Sequence, residues 1–229
     1  MKPPKGKPLG MNFGYVIGAG LLLPIMRAIT KRTWMNTQKI PKSGSAVFYS
    51  NHLSYLDALV FAHYLFENGR APRFIGKEAV FKVPVVGWVL YKAEQIPVKR
   101  ESNSAAVALG EAIEALKMGH AIGIYPEGTR SPDGKLYKGR TGIARMALES
   151  GAPVIPVAML NTAEIQPTGQ VVPKVMQVEM RFGEPMTFSG DATDIQLLRS
   201  ITDEIMKKIQ ELSGQEYVDI YASEAKLAI

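Results

Sequence analysis

The segment Asn51–Asp57 contains two side chains that could do chemistry together, His52 and Asp57. On a regular helix, five residue steps leave two side chains roughly 140° apart, too far round to meet. They can touch if His52 lies in the turn after a strand and Asp57 in the first turn of the next helix. The carboxylate then holds one imidazole nitrogen, and the other nitrogen is free to accept a proton. The alternative is a helix cap at Asn51 or Ser54 with a histidine that merely packs, and for this pair alone that alternative is favoured.

The elements around this segment suit the first geometry. The apolar run Ala46–Tyr49 predicts a strand that ends just before His52, and the residues up to Glu67 predict a helix. A second loop, Tyr125–Ser131, follows another apolar run that begins at Ala121. Binding sites in open α/β sheets gather at the carboxyl ends of the strands, so both segments are expected at one edge.

The second loop has the residue types of an anion site. Arg130 offers a planar fork suited to phosphate, and Thr129 and the backbone near Gly128 can donate further hydrogen bonds. Taken alone, the same residues also fit an ordinary turn with an exposed arginine.

Alternating patterns through the middle of the chain predict a single-domain α/β sandwich with a mixed, mostly parallel sheet. Other helices are expected at 104–117, at 143–149 and after Asp194, with a broken helix at 77–91, and other strands at 33–37, 73–76, 95–98, 154–159 and 176–182. Residues 126–142 and 160–174 are expected to be loops. The residues from 216 onward fit a helix, a partner contact or a tail.

Composition excludes several kinds of site. The chain has no cysteine, which rules out disulfides, a thiolate nucleophile and cysteine-based metal sites. Its three histidines lie in no close cluster with other ligand residues, so no metal site is expected. The pattern Gly-x-Ser-x-Gly of serine hydrolases is also missing.

The net charge of +6 is concentrated at the N-terminus. Residues 1–56 carry eight Lys or Arg and no acid, and the 19 residues from Pro8 to Met26 carry no charge at all. As a helix they would reach about 28 Å, just short of a hydrocarbon core. Residues 1–32 are therefore expected to be a helical segment that lies in one leaflet of an anionic membrane. A cleaved signal peptide and a buried N-terminal helix are the alternatives, and nucleic acid is a competing partner that no binding motif supports.

Four segments, taken in order, resemble the conserved blocks of the glycerolipid acyltransferases, and most closely the bacterial 1-acylglycerol-3-phosphate acyltransferases. The segments are Asn51–Asp57, Glu94–Arg100, Tyr125–Ser131 and Val154–Val157. The resemblance covers about residues 37–160. The second block departs from the family, because Glu94-Gln95 stands where a glycine usually precedes the apolar run and Lys99-Arg100 replaces Asp-Arg.

The resemblance implies a role for each matching residue. His52 would be the general base and Asp57 would orient it. The acceptor hydroxyl would be the nucleophile, and Ser54 is the second candidate for that role. Substrate-binding residues would be Lys77, Arg100, Glu127, Gly128, Thr129 and Arg130. The donor would be acyl-CoA or acyl carrier protein, a lysophospholipid would be the acceptor, and no cofactor would be needed.

The expected function is therefore acyl transfer to 1-acylglycerol 3-phosphate, giving phosphatidic acid. The alternatives are the same chemistry on glycerol 3-phosphate or a glycolipid, and a non-catalytic lipid-binding protein. Residues 33–229 would form the acyltransferase domain of a monotopic enzyme at the cytoplasmic face of a membrane, without nucleic acid as a partner.

Overall fold

The computed structural model describes residues 10–99, 104–165 and 175–227. The helices are α1 Phe13–Ile29, α2 Asp57–Glu67, α3 Glu78–Phe81, α4 Val86–Lys92, α5 Ser104–Lys117, α6 Gly142–Ser150, α7 Thr162–Ile165, α8 Ile195–Ser213 and α9 Ala222–Ala225, with a 3₁₀ turn at Thr37–Lys39. The strands are β1 Thr30–Met35, β2 Ala46–Ser50, β3 Arg73–Lys77, β4 Ile96–Val98, β5 Ala121–Ile124, β6 Leu136–Tyr137, β7 Val154–Leu160, β8 Met176–Phe182 and β9 Tyr217–Val218.

Seven strands form one sheet in the order β1-β8-β7-β2-β5-β3-β4, and β6 pairs with β9 in a separate ribbon. Strands β7 and β8 are antiparallel, and every other neighbouring pair in the large sheet is parallel. The predicted mixed, mostly parallel sheet is confirmed. Because β2, β3 and β5 run the same way side by side, the residues that follow them meet at one edge.

Helices cover both faces of this sheet. Along β2, Val47 and Tyr49 pack into a cluster with α5, α6 and α8, whereas Ala46 and Phe48 pack into a cluster with α2 and Met26 of α1. All five residues of β2 are buried. A strand buried on both faces is typical of parallel sheets, and it gives the residues after Ser50 a rigid starting point.

Helices α2, α5 and α8 follow the predicted patterns closely. Asp194 is the N-cap of α8, and its side chain accepts hydrogen bonds from the backbone N–H groups of Gln196 and Leu197 at 2.9 and 3.1 Å. Each of these helices carries its own apolar periodicity, so local sequence is enough to locate it.

Long-range pairing produced the differences from the prediction. Strand β1 begins at Thr30 instead of residue 33 because it pairs with β8. The expected loop at 126–142 contains β6, whose partner β9 lies about 80 residues further along the chain. The expected loop at 160–174 begins with α7, and residues 166–174 lie outside the described part.

Helix α1 has one packed side and one open side. Gly14 is buried against the backbone of Lys92 and Ala93 at the end of α4. The outward side carries exposed apolar residues, namely Phe13, Val16, Leu21 and Ile25. Within the described residues, no helix has both the length and the apolar character needed to cross a bilayer. The membrane role of residues 1–32 remains a prediction.

Candidate active site

His52 and Asp57 meet in the turn between β2 and α2. The Nδ1 atom of His52 lies 2.8 Å from Oδ2 of Asp57, the first residue of α2. This is the strand–turn–helix geometry that the spacing allowed. Asp57 is fully buried, whereas 19% of the His52 side chain is exposed. The carboxylate favours a proton on Nδ1, so Nε2 is left as an acceptor.

The same oxygen of Asp57 also organises the turn itself. It accepts hydrogen bonds from the backbone N–H groups of Leu53 at 2.5 Å and Ser54 at 2.8 Å. Asp57 therefore stabilises the turn before the helix and also contacts the imidazole, whereas the N-cap position of α2 is Leu56 and not Asn51 or Ser54. Ser54 is buried and its hydroxyl accepts a hydrogen bond from the Leu56 N–H at 3.3 Å, which does not resemble an accessible nucleophile.

Asn51 anchors the start of the turn to the sheet. Its side chain bonds to both backbone groups of Met159 in β7, with Nδ2 donating at 2.9 Å and Oδ1 accepting at 2.8 Å. The amide also donates to Gln215 Oε1 at 2.9 Å. Because the side chain is fully buried and bonded on both sides, the residue before His52 is held in one orientation.

Tyr125 packs on the imidazole, a contact that the sequence did not predict. The two rings stack with centroids 4.1 Å apart and an angle of 17° between their planes. Burial, followed by the nearby negative charge of Asp57, raises the pKa of Tyr125 well above its usual value. The neutral tyrosine ring therefore packs against one face of the imidazole and restricts rotation of the His52 side chain.

Glu127 ties the second loop to the first. Its buried carboxylate accepts the His52 backbone N–H at Oε1 and the Tyr137 N–H at Oε2, each at 3.0 Å. Burial raises the pKa of Glu127 to about 7, and the two backbone hydrogen bonds oppose that shift. The Ser131 N–H also donates to the His52 carbonyl at 2.8 Å. Glu127 thus holds the backbone of both loops.

Gly128 occupies a conformation that suits glycine. Its φ is +70°, and a Cβ atom there would lie 3.0 Å from Nε and 3.1 Å from Cδ of Arg140. The Gly128 N–H donates to the Tyr125 carbonyl at 3.0 Å, which closes the turn that precedes Thr129 and Arg130.

The predicted cations Arg130 and Lys77 share one region. The Arg130 guanidinium carbon lies 3.3 Å from the centroid of the Tyr55 ring, a cation–π contact with a residue that is 71% exposed. Lys77 is exposed at the carboxyl end of β3. Both raise the local positive potential at Lys226, whose pKa is lowered by burial and then by the charges of Arg130 and Lys77.

Lys226 is a further cation at this site, and the sequence did not predict it. Its Nζ atom donates to the Thr129 hydroxyl at 2.8 Å. Residue 226 lies almost a hundred positions after the loop and belongs to no motif, so nothing local could have revealed it. Arg100, the remaining predicted binding residue, lies outside the described part of the chain.

Comparison with known proteins bears directly on this geometry. Residues 31–160 match the model of the acyltransferase family, which is more than half of the chain. The chain belongs to the acyltransferase family. The match includes His52, Asp57, the whole second loop and the four central strands on which they are placed.

Named relatives of the family agree in the reaction that they catalyse. A chloroplast 1-acyl-sn-glycerol-3-phosphate acyltransferase of Brassica napus is 35% identical over 134 residues, which is 58% of this chain and 38% of that protein. The 1-acyl-sn-glycerol-3-phosphate acyltransferase of Borreliella burgdorferi is 36% identical over 128 residues, 55% of this chain and 50% of the relative. The matched stretch therefore spans half or less of the length of these two relatives.

A solved acyltransferase has the same fold. The crystal structure of the 1-acyl-sn-glycerophosphate (LPA) acyltransferase PlsC from Thermotoga maritima is similar with a TM-score of 0.68 and 27% sequence identity. The similarity covers 86% of this chain and 80% of the other. The α/β fold that places the two loops side by side is thus the fold of this acyltransferase.

Proposed function

We propose that this protein transfers a fatty acyl group from an acyl thioester to the free hydroxyl of 1-acylglycerol 3-phosphate, giving phosphatidic acid. The observation that carries the proposal is the 2.8 Å contact between His52 Nδ1 and the buried Asp57, beside the loop that bears Arg130. Binding alone would not need an imidazole oriented by a carboxylate. The names of the relatives support the choice of acceptor.

The proposed reaction needs only one proton carrier. Nε2 of His52 removes the proton of the acceptor hydroxyl while its oxygen attacks the thioester carbonyl. The thiolate of the donor leaves as the carbonyl re-forms and takes the proton from the imidazolium, so charge and atoms balance. Asp57 stabilises the imidazolium in between. No acyl-enzyme intermediate is required, no cofactor takes part, and acyl-CoA or acyl carrier protein is the co-substrate.

The basic region beside His52 suits the phosphate of the acceptor. No carboxylate in the described ranges forms an ion pair with Lys77 or Arg130. Arginine can bind a phosphate through two parallel hydrogen bonds, and stacking on Tyr55 leaves the edge of the guanidinium free to do so. The phosphate would thus be held where the acceptor hydroxyl reaches Nε2.

An apolar surface on two helices suits a lipid substrate. Two helices that pack together, α1 and α4, both expose large apolar side chains, among them Phe13, Leu21, Val86 and Trp88. We infer that this surface lies in the head-group and upper acyl region of one leaflet, with the protein monotopic at the cytoplasmic face.

A histidine variant tests the proposal against a lipid-binding role. We expect His52→Ala to lower the turnover of lysophosphatidic acid with acyl-CoA by about 10²–10⁴-fold, because a positioned general base contributes that much. Binding of lysophosphatidic acid in mixed micelles should persist. His120→Ala is the matched control. His120 immediately precedes β5, at the opposite edge of the sheet from His52, and contacts Arg73 at the start of β3.

The two alternatives give different results in the same assay. A purified parent protein that transfers no acyl group to any acceptor in a panel of lysophospholipids, glycerol 3-phosphate and glycolipids would contradict the proposal. Faster acylation of glycerol 3-phosphate than of lysophosphatidic acid would keep the chemistry and change the acceptor.

A further inference from the structure

The end of the described chain folds back onto the connection between β5 and α6. We define this end, residues 216–227, as the C-terminal segment, and residues 125–141 as the β5–α6 connection. Strand β9 pairs with β6, and the Leu136 N–H donates to the Glu216 carbonyl at 2.9 Å. The Lys138 N–H donates to the Ile220 carbonyl at 3.0 Å. The segment is therefore attached through its backbone to the residues that follow Arg130.

Side chains complete the attachment. The Arg140 guanidinium lies 4.9 Å from the centroid of the Tyr221 ring and donates to the Ser223 hydroxyl at 3.2 Å. Tyr137 packs into a small buried cluster with Ala222 and Ala225 of α9. These contacts fix the position of the next residue, Lys226.

Lys226 reaches the second loop from this position. An ammonium has three donors, and the bond to Thr129 at 2.8 Å uses only one of them. Because the Thr129 hydroxyl accepts from Lys226, its own hydrogen must point elsewhere. The remaining donors of both groups are thus available to one anion beside Arg130.

The charges around Lys226 are predominantly positive. Burial lowers the pKa of Lys226 most, and the positive charges of Arg130 and Lys77 lower it further. The nearby carboxylate of Glu127, which accepts two backbone N–H groups, acts on the pKa of Lys226 in the opposite direction but less than either cation does. Three cations from three distant parts of the chain repel one another unless an anion joins them.

We propose that Lys226, delivered by the C-terminal segment, is a third cation that binds the phosphate of the acceptor together with Arg130 and Lys77. It would act through substrate affinity, since it contacts Thr129 and neither His52 nor Asp57. This inference rests on the proposed function, because it assigns a specificity residue to the same site.

The test compares kinetic constants of purified full-length variants with lysophosphatidic acid and acyl-CoA in mixed micelles. We expect Lys226→Met to raise KM for lysophosphatidic acid about tenfold, as expected for the loss of a charge-assisted hydrogen bond, with a much smaller change in kcat. Lys226→Arg should restore most of the affinity, since the cation is kept. Lys117→Met is the matched control, because Lys117 ends α5 at the opposite edge of the sheet and should leave KM at the parent value.

A fall in kcat with KM unchanged would overturn the inference, because it would indicate that Lys226 only shapes the loop. Failure of Lys226→Arg to restore KM would also overturn it. A KM for lysophosphatidic acid equal to that of the parent in Lys226→Met would do the same while leaving the proposed function intact. Absence of acylation by the parent protein would contradict the proposed function itself.

Discussion

At the scale of single residues, the candidate site depends on two carboxylates that bind different parts of His52. Asp57 directs one oxygen at the His52 imidazole and at two backbone N–H groups. Glu127 divides its two oxygens between the backbone of His52 and that of Tyr137. The first carboxylate contacts the side chain of His52, the proposed base, and the second contacts its backbone, so the two can be tested separately.

Replacing Asp57 by Asn should lower turnover strongly while the protein still folds. An amide oxygen can keep some of the backbone hydrogen bonds, but the neutral group no longer stabilises an imidazolium. We expect kcat of Asp57→Asn to fall at least about 100-fold, measured with lysophosphatidic acid and acyl-CoA. Asp203→Asn, an exposed change on α8, should behave like the parent. Parent-like turnover of Asp57→Asn would refute the dyad.

The raised pKa of Glu127 predicts how the stability of the folded protein depends on pH. Its pKa is raised from 4.5 to about 7, so the folded protein holds this proton more tightly than the unfolded chain does. Protonation of Glu127 therefore contributes to the free energy of unfolding. This contribution is fully present below about pH 4.5 and is lost as the pH rises through 7, a change of about 3 kcal/mol. Urea unfolding between pH 5 and 8 should show this loss in the parent, with a flatter profile in Glu127→Gln. The same slope in both proteins would rule out Glu127 as its source.

At the scale of elements, close approach of two helices decides where α1 lies. Gly14 faces the backbone at the end of α4, and a Cβ atom there would lie 2.0 Å from the carbonyl carbon of Lys92. At Gly20, on the exposed side of the same helix, a Cβ atom would meet nothing within 4 Å. The same substitution should therefore have opposite effects at the two positions.

Gly14→Ala should destabilise the protein and Gly20→Ala should not. At Gly14 the methyl group can be accommodated only if α1 or α4 moves, which costs about 1–3 kcal/mol. At Gly20 the change removes a flexible residue from a helix interior and gains about 0.5–1 kcal/mol. Thermal unfolding of the two variants checks this. Equal midpoints would mean that α1 does not pack on α4 as described.

At the scale of the whole molecule, the exposed apolar side chains of α1 and α4 adjoin the packed contact between the two helices. Met26 of α1 is buried in the apolar cluster that α2 forms with one face of the sheet. Helix α1 therefore belongs to the core on one side and is exposed on the other. One side of α1 is thus that of a buried helix, and the exposed apolar side is the surface that the proposed membrane contact would use.

The apolar surface predicts membrane binding that point changes can weaken. We expect the double variant Leu21→Ser, Trp88→Ser to bind anionic liposomes at least about 100-fold more weakly than the parent in sedimentation assays, because each side chain loses roughly 1.5–3 kcal/mol of apolar burial. Val107→Ser removes an equally exposed apolar side chain from α5 and should sediment like the parent. Equal losses in both variants would place the membrane contact elsewhere.

Sequence alone determined the central elements of this protein and the residues on which its proposed chemistry depends. The periodicity of α2, α5 and α8 and the apolar run of β2 are local signals, and His52, Asp57, Glu127 and Arg130 stand in recognisable order. The local spacing also showed that His52 and Asp57 could meet in a turn between strand and helix.

The tertiary structure alone decided which distant residues reach that turn. Tyr125 stacks on His52, Glu127 accepts its N–H, and Lys226 bonds to Thr129 because the sheet order and the β6–β9 ribbon bring these segments together. Such contacts join residues 70 to almost 100 positions apart, and no pattern within either segment encodes the pairing. Strand order depends on the balance of packing over the whole core, which is why only the folded chain reveals it.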